Sequence, residues 1–153
     1  MAKQKRIWAV LFALYCAAMA CLLFGRKEAP AGIPYDEQIL MRLNLIPFRT
    51  VRRQLDLLTG FDRPWLVRHS AVNLLGNVVL FIPLGIFLPK MWEKLRGFCR
   101  MLPAAAGAIM TVETMQVLTL LGRCDVDDLI LNLTGAAVGY GLYKRIEEKR
   151  PGG

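Results

Sequence analysis

The chain has 153 residues, enough for one domain, and 55% of them are hydrophobic. A soluble domain of this size has too little interior to bury so much apolar surface, so the composition favours a multi-span membrane protein. The formal net charge is +8. Because most of the basic excess lies beside apolar segments, we attribute it to membrane topology and anionic lipid head groups and expect no nucleic-acid partner.

Four cysteines and a single histidine are spread along the chain without metal-ligand spacing. Cys16 and Cys21 lie in the first apolar segment, where a thiol behaves as a small hydrophobe. The sequence therefore predicts neither a disulfide framework nor a zinc site. It also contains no P-loop and no dinucleotide fingerprint. We expect no cofactor and no metal, although Glu113 with Asp125, Asp127 and Asp128 could supply oxygen ligands for a divalent ion if the chain is an enzyme.

Four apolar segments are predicted to be transmembrane helices. The first lies within residues 1–24 and is expected to stay uncleaved, and the others cover about 71–88, 98–121 and 128–143. The predicted fold class is therefore all-α, an integral membrane bundle of about four transmembrane helices. A long, partly helical loop joins helices 1 and 2.

That long loop covers residues 25–70 and is punctuated by proline and glycine. Residues 36–43 are predicted to form a short helix with Asp36 as its N-cap. Residues 51–58 are amphipathic, which is typical of a helix lying in the membrane interface.

Small residues and proline shape the predicted packing of the spans. Gly135 and Gly139 form a G-x-x-x-G pair, which allows close approach of helices and offers a face for a homo-oligomer. Pro83 and Gly85 predict a kink in the second span, and Pro89 is expected to close it.

The basic residues of the short loops set the expected orientation. Four Lys or Arg residues lie in residues 89–100, against one in residues 121–128. Positively charged loops stay in the cytoplasm, so both termini are predicted inside, including a basic tail at residues 144–153. The eight basic residues of the long loop oppose this orientation, unless its arginines serve a site.

Polar residues interrupt three of the predicted spans at one depth. Asn73 and Asn77 lie on one face near the start of the second span. Glu113 lies about 12 Å before the end of the third span, and Gln116 shares its face. Polar groups at such depth are costly unless they meet one another, so they indicate a functional site.

The fourth span begins with acids and an amide on the same side of the membrane, close to the arginines of the long loop. We therefore predict one polar pocket in the outer leaflet. Its ligand-binding residues are Arg49, Asn73, Asn77, Glu113, Gln116, Arg123, Asp125, Asp127, Asp128 and Asn132.

Each of these residues also has a structural interpretation. The asparagines could simply hydrogen-bond adjacent helices, and Asp125 and Asp127 could cap the fourth helix. Glu113 requires a partner in the membrane, and an ion pair with Arg123 or with an arginine of the long loop is the simplest structural arrangement.

In their order along the chain, three motifs resemble the VanZ-like family. They are NLLGNVVLFIPLG, ETMQ and GRCDVDDLILNLTG, and the resemblance covers residues 35–143. Asp125 and Asp127 are both candidates for the first acid of the last motif. The resemblance implies a multi-pass protein of the bacterial cell membrane that is linked to low-level resistance to the glycopeptide teicoplanin.

Two functions compete for the predicted pocket. In the first, the chain is an envelope accessory or binding protein whose partners are the lipid bilayer and an anionic lipid or lipid-linked cell-wall precursor. In the second, it is a membrane-embedded enzyme acting on a lipid-linked substrate. Glu113 and Asp128 are its candidate catalytic acids, aided by Asp125 and Asp127. A small transporter ranks last, because four short spans leave little room for alternating access.

Overall fold

The computed structural model describes residues 2–25, 32–59 and 64–148. Most of these residues are helical, which confirms the all-α class. In chain order the α-helices are α1 (Ala2–Phe24), α2 (Tyr35–Met41), α3 (Arg49–Leu58), α4 (Pro64–Met91), α5 (Phe98–Leu118) and α6 (Val126–Glu148). A 3-10 turn at Glu93–Leu95 connects α4 and α5.

Within the described ranges, three helices are long and apolar enough to cross a membrane: α1 from Gln4 onwards, α4 and α5. Helix α6 has 23 residues, but Asp127, Asp128 and Asn132 lower the apolar content of its first two turns. The contact between α4 and α6 is the most extensive between any two of the described helices. That α6 is the fourth span therefore stays a prediction of the sequence, supported by its extensive packing against α4.

Glycines bring α4 and α6 into direct backbone contact. A Cβ atom on Gly139 would lie 1.9 Å from the carbonyl oxygen of Ile82, and one on Gly135 would lie 2.0 Å from that of Val78. No other residue fits such an approach without separating the helices. The G-x-x-x-G pair therefore packs against α4 of the same chain, and the face that the sequence analysis offered to a second copy is occupied. Gly85 meets α6 in the same way.

The rest of the bundle assembles around this pair. Helix α5 covers it with Met101, Ala105 and Ile109, all of which are almost fully buried. Helix α1 attaches through aromatic contacts to α4, and the hydroxyl of Tyr15 donates to the carbonyl oxygen of Leu80 at 3.0 Å. Only 6% of the apolar stretch of α1 is buried, so most of its surface is left for lipid.

The boundaries of α4 and α6 differ from those expected. Helix α4 begins at Pro64, a residue well suited to a first helical turn, and it runs through Pro89, which had been expected to close it. Pro89 is fully buried inside the helix. Helix α6 begins at Val126 and continues to Glu148, beyond the predicted end at 143. Residues 149–153 of the predicted basic tail lie outside the described residues.

Helix α5 ends at Leu118, three residues earlier than expected. Leu120 adopts a left-handed backbone with φ of 56°, and the amides of Leu121 and Gly122 both donate to the carbonyl oxygen of Gln116. This turn closes the helix in the manner of a C-terminal cap. The prediction that Asp36 caps α2 is wrong: the N-cap position is Pro34, and Asp36 lies within the first turn.

Two strands of two residues each join the long loop to the turn between α5 and α6. Strand β1 (Leu43–Asn44) pairs in parallel with β2 (Cys124–Asp125), with Leu43 opposite Cys124. This pair was absent from the sequence-based prediction. It places α2 and α3 beside the start of α6, at the end of the bundle that we call the carboxylate end.

Candidate functional site

The carboxylate end is built on hydrogen bonds that cross from the long loop to the helices. The hydroxyl of Tyr35 donates to the carbonyl oxygen of Leu118 at 2.7 Å, which fixes α2 to the last residue of α5. Arg42 is buried, and its guanidinium donates to the carbonyl oxygen of Gly122 at 3.0 Å. The amide of Cys124 donates in turn to the carbonyl oxygen of Arg42.

Asp127 holds the start of α3. Its carboxylate is fully buried and accepts backbone N–H groups from Phe48 at 2.5 Å, Thr50 at 2.7 Å and Val51 at 3.0 Å. These are the amides that a helix N-terminus leaves without partners, so Asp127 caps α3 although it belongs to α6. Phe48 has a left-handed backbone with φ of 63°, a conformation that needs such support.

Asp125 caps α6 and also secures the loop. One carboxylate oxygen accepts the amide of Asp127 at 2.9 Å and the side-chain amide of Asn44 at 3.1 Å. The other accepts the hydroxyl of Thr50 at 2.5 Å, and that hydroxyl accepts from Asn44. The capping interpretation therefore describes Asp125, whereas Asp127 caps a different helix from the one expected.

Asp128 and Asn77 form the contact between α6 and α4 at this end. The amide of Asn77 donates to one carboxylate oxygen of Asp128 at 2.5 Å. Asp128 is half-buried, and its electrostatic field reaches Glu113 on α5. Helices α4, α5 and α6 thus each bring one polar side chain, Asn77, Glu113 and Asp128, to this part of the carboxylate end.

Glu113 differs from the other acids. Its side chain is 5% exposed; one oxygen accepts the thiol of Cys124 at 3.7 Å, and the other, Oε1, is buried without any hydrogen-bond partner. Within the described residues Glu113 makes no ion pair, so the expected pairing with Arg123 is wrong. Two arginines of the long loop, Arg26 and Arg63, lie outside the described residues, and pairing with them stays a prediction. An unpartnered buried carboxylate oxygen is costly, and it is the strongest sign of an interaction still to be made.

Asn132 lies one turn beyond Asp128 on α6. Its side-chain oxygen, Oδ1, is likewise buried without a hydrogen-bond partner. Its side chain is 5% exposed. Asn44 also leaves its Oδ1 oxygen unpartnered, although its NH₂ group is fully used. Glu113, Asn132 and Asn44 therefore each keep one buried acceptor oxygen without a hydrogen-bond partner among the described residues.

The remaining predicted residues are placed differently. Gln116 donates to the carbonyl oxygen of Leu23 at 2.9 Å, which ties α5 to the end of α1. Asn73 is half-buried on α4, with no side-chain hydrogen bond in the described structure. Arg49 and Arg123 are exposed, one at the start of α3 and the other just before β2, so they flank the acids and do not enter the buried group.

The environment of Cys124 reflects the charge beside it. Burial raises the pKa of its thiol, and the Glu113 carboxylate raises it further. The thiol thus stays protonated at neutral pH and acts as a weak donor to Glu113. Within the described ranges, no three Cys, His, Asp or Glu side chains are arranged to hold a metal ion.

The sequence analysis missed several residues that build this end. Thr50 and Asn44 connect the loop to Asp125, Arg42 joins it to Gly122, and Tyr35 anchors α2. The one available signal was the polar pair Asn44 and Thr50, which flanks an apolar turn. Arg42 carried no sequence signal that distinguished it from the exposed arginines nearby.

The fold and the site together define a multi-span α-helical membrane protein with a buried polar group at one end. The family model named VanZ/LLP1 matches residues 12–147, and the chain belongs to that family. Protein VanZ of Enterococcus faecium is similar: it is 30% identical over 137 residues, which cover 90% of this chain. The chain spans 65% of the length of that relative. No solved structure matches the chain.

Proposed function

We propose that this protein is an accessory or binding protein of the bacterial envelope that recognises the polar head of an anionic lipid or a lipid-linked cell-wall precursor. With both termini in the cytoplasm, the carboxylate end faces outward. The VanZ-like family is linked to resistance to teicoplanin, an antibiotic that acts outside the membrane. An outward-facing site that binds envelope lipids is consistent with that link.

The buried Oε1 of Glu113 is the observation that carries the proposal. A carboxylate oxygen buried without a partner costs free energy that a ligand donor would recover. Asn132 adds a second unpartnered acceptor, and Asp128 adds charge close by. Such a group suits hydroxyl, amide or ammonium donors, all of which occur in the head of a wall precursor.

The phosphate of the same ligand calls for a different partner. Arginine binds phosphate through two parallel hydrogen bonds, and Arg49 and Arg123 are exposed beside the buried acceptors. Thr50, which follows Arg49, donates to Asp127, and Cys124, which follows Arg123, donates to Glu113. We therefore assign phosphate binding to the arginines and head-group donors to the buried acceptors.

Binding by the purified chain in lipid nanodiscs tests the proposal. The ligands are a polyprenyl-diphosphate-linked wall precursor, polyprenyl phosphate and phosphatidylglycerol. We expect Glu113→Gln to weaken binding of the precursor about tenfold or more, since a hydrogen bond to a charged group contributes roughly 1.5–3 kcal/mol. We expect Arg123→Ala to weaken the binding of all three phosphate-bearing ligands.

Glu93→Gln, at an exposed acid of the opposite end, serves as the control. Unchanged binding in both site variants would rule out the proposed site.

A membrane-embedded enzyme is the second candidate. Glu113 and Asp128 interact electrostatically, but their hydrogen-bond donors differ. Asp128 accepts from the side-chain amide of Asn77, and Glu113 accepts from the thiol of Cys124. Two acids in different surroundings can divide acid and base roles. Turnover of the lipid-linked precursor that is lost in Glu113→Gln would establish catalysis. Saturable binding without turnover, with and without magnesium, would favour the binding protein.

A further inference from the structure

An apolar turn of the long loop projects from the carboxylate end. It consists of residues 40–48 and connects α2 to α3. Five of its nine side chains are large, hydrophobic and more than half exposed: Leu40 at 69%, Met41 at 68%, Leu45 at 70%, Ile46 at 58% and Phe48 at 63%. Isolated exposed hydrophobic residues are common, but five of them within nine residues of one loop point to an interaction surface.

Hydrogen bonds fix the apolar turn at the level where the spans end. Before it, Tyr35 is bonded to Leu118, the last residue of α5. Within it, Arg42 is bonded to Cys124 just before α6, and Phe48 is bonded to Asp127 in the first turn of α6. With α5 and α6 as spans, as the sequence predicts, the turn is expected at the boundary between hydrocarbon and head groups.

The chain becomes strongly basic directly after the turn. Arg49, Arg52 and Arg53 are all exposed, and their spacing of three and four residues places them on neighbouring positions of α3. They make no side-chain hydrogen bond or ion pair within the described ranges. Apolar side chains followed by a basic helix face are typical of segments that insert into an anionic membrane surface.

We propose that the apolar turn inserts into the outer part of the bilayer that holds the bundle and that the three arginines of α3 bind the phosphates of anionic lipids above it. A second copy of the chain is a poorer occupant, because a symmetric contact would bring the two sets of arginines together. Arg49 belongs to both proposals, but insertion of the turn does not require Glu113 to bind anything, so the two proposals can fail separately.

Spin labels on the full chain in phosphatidylglycerol vesicles test the insertion. Leu45→Cys and Phe48→Cys carry the label in the turn, and Glu37→Cys and Asp56→Cys are matched controls at exposed acids on either side. The four native cysteines are replaced by serine. We expect labels at 45 and 48 to collide several-fold more with oxygen, which enters the hydrocarbon, than with a water-soluble nickel complex, and the controls to show the reverse.

Two outcomes overturn the proposal. One is nickel accessibility at 45 and 48 equal to that of the controls, which would place the turn in water. The other is spin–spin broadening at these positions that disappears on dilution with unlabelled chain, which would assign the surface to a second copy. A lipid-soluble photoactivated carbene gives the same test on the unaltered chain: we expect it to label residues 40–48 and not residues 35–37.

The role of the arginines has its own test. Replacing Arg49, Arg52 and Arg53 together by glutamine should reduce the oxygen preference at position 45 in phosphatidylglycerol to the level found in phosphatidylcholine. The matched control is Arg100→Gln, at an exposed arginine of the opposite end. If the triple variant keeps the full difference between the two lipids, the arginines do not bind anionic head groups.

Discussion

The buried ionisable groups at the two ends of α6 have different kinds of partner. At the end near Glu148, Lys90 of α4 pairs with Glu147 and lies over the rings of Trp8 and Tyr143, 5.4 Å from each ring centroid. At the carboxylate end, four acids are held by neutral donors: backbone amides, side-chain amides, a hydroxyl and a thiol. The buried groups are partnered by opposite charge at the first end and by neutral donors at the second.

This difference separates structural acids from candidate ligand-binding acids. Asp125 and Asp127 use both carboxylate oxygens in hydrogen bonds that build the loop. Glu113 keeps one buried oxygen unpartnered and has no positive charge beside it in the described structure. A buried carboxyl oxygen without a hydrogen-bond partner is uncommon in folded proteins, so Glu113 is the strongest candidate for a functional residue among the four acids.

Removing the cap on α3 should have the largest effect on stability. Asp127→Ala leaves three backbone N–H groups without acceptors, and we expect a loss of roughly 3 kcal/mol or more in the free energy of unfolding. The thermal midpoint of the purified protein in detergent measures it. Asp56→Ala, at an exposed acid of α3, should melt as the unaltered chain does. An Asp127→Ala variant that melts normally would show that the loop is not held by this carboxylate.

The contact between α4 and α6 should be the next most sensitive. Gly139→Ala places a methyl group against the carbonyl oxygen of Ile82, and we expect about 1–3 kcal/mol of destabilisation from overpacking. Gly141→Ala is the matched control on the same helix, because a Cβ there meets nothing within 4 Å. The difference in unfolding midpoint between the two variants measures the effect. Equal midpoints would contradict the close packing.

The paired charge at the opposite end should contribute less. Lys90→Met removes an ion pair and two cation–π contacts, and we expect a loss of about 1–2 kcal/mol. Ligand binding should be unaffected, because Lys90 lies at the far end of α4. Lys94→Met, at an exposed position, controls for loss of charge. A change in ligand affinity in Lys90→Met, but not in Lys94→Met, would contradict the assignment of ligand binding to the carboxylate end alone.

The smallest expected effect is chemical. Because Glu113 helps to raise the pKa of the Cys124 thiol, Glu113→Gln should lower that pKa and shift the alkylation of Cys124 to lower pH. The rate of iodoacetamide labelling against pH measures this shift in a chain whose other three cysteines are serine. Asp56→Asn is the control. An unmoved profile would mean that Glu113 and Cys124 do not interact in solution.

Hydrophobicity and small residues allowed the bundle to be predicted. The apolar segments marked α1, α4 and α5, and the spacing of Gly135 and Gly139 indicated a close helix contact. Placing Asn77 and Asp128 near the same membrane surface predicted that both lie in one polar pocket, and the structure adds a direct hydrogen bond between them. These features depend on side-chain type, which a sequence displays directly.

The loop interactions could not be predicted in the same way. Asp127 binds the backbone amides of residues 48, 50 and 51, and every residue except proline has such an amide. The two-residue strands are too short to show any alternation. Glu113 was expected to pair with an arginine because a buried charge is costly, and it makes no ion pair with any of the residues that the structure describes.

The proposed function, in which the unaltered chain raises teicoplanin resistance, is tested most directly by comparing the teicoplanin susceptibility of bacteria that make the unaltered chain, the Glu113→Gln variant at the same membrane level, or neither. The account predicts that cells with the variant are as susceptible as cells without the protein, although the variant remains folded. Full resistance with Glu113→Gln would contradict it and would leave the buried oxygen of Glu113 without a function.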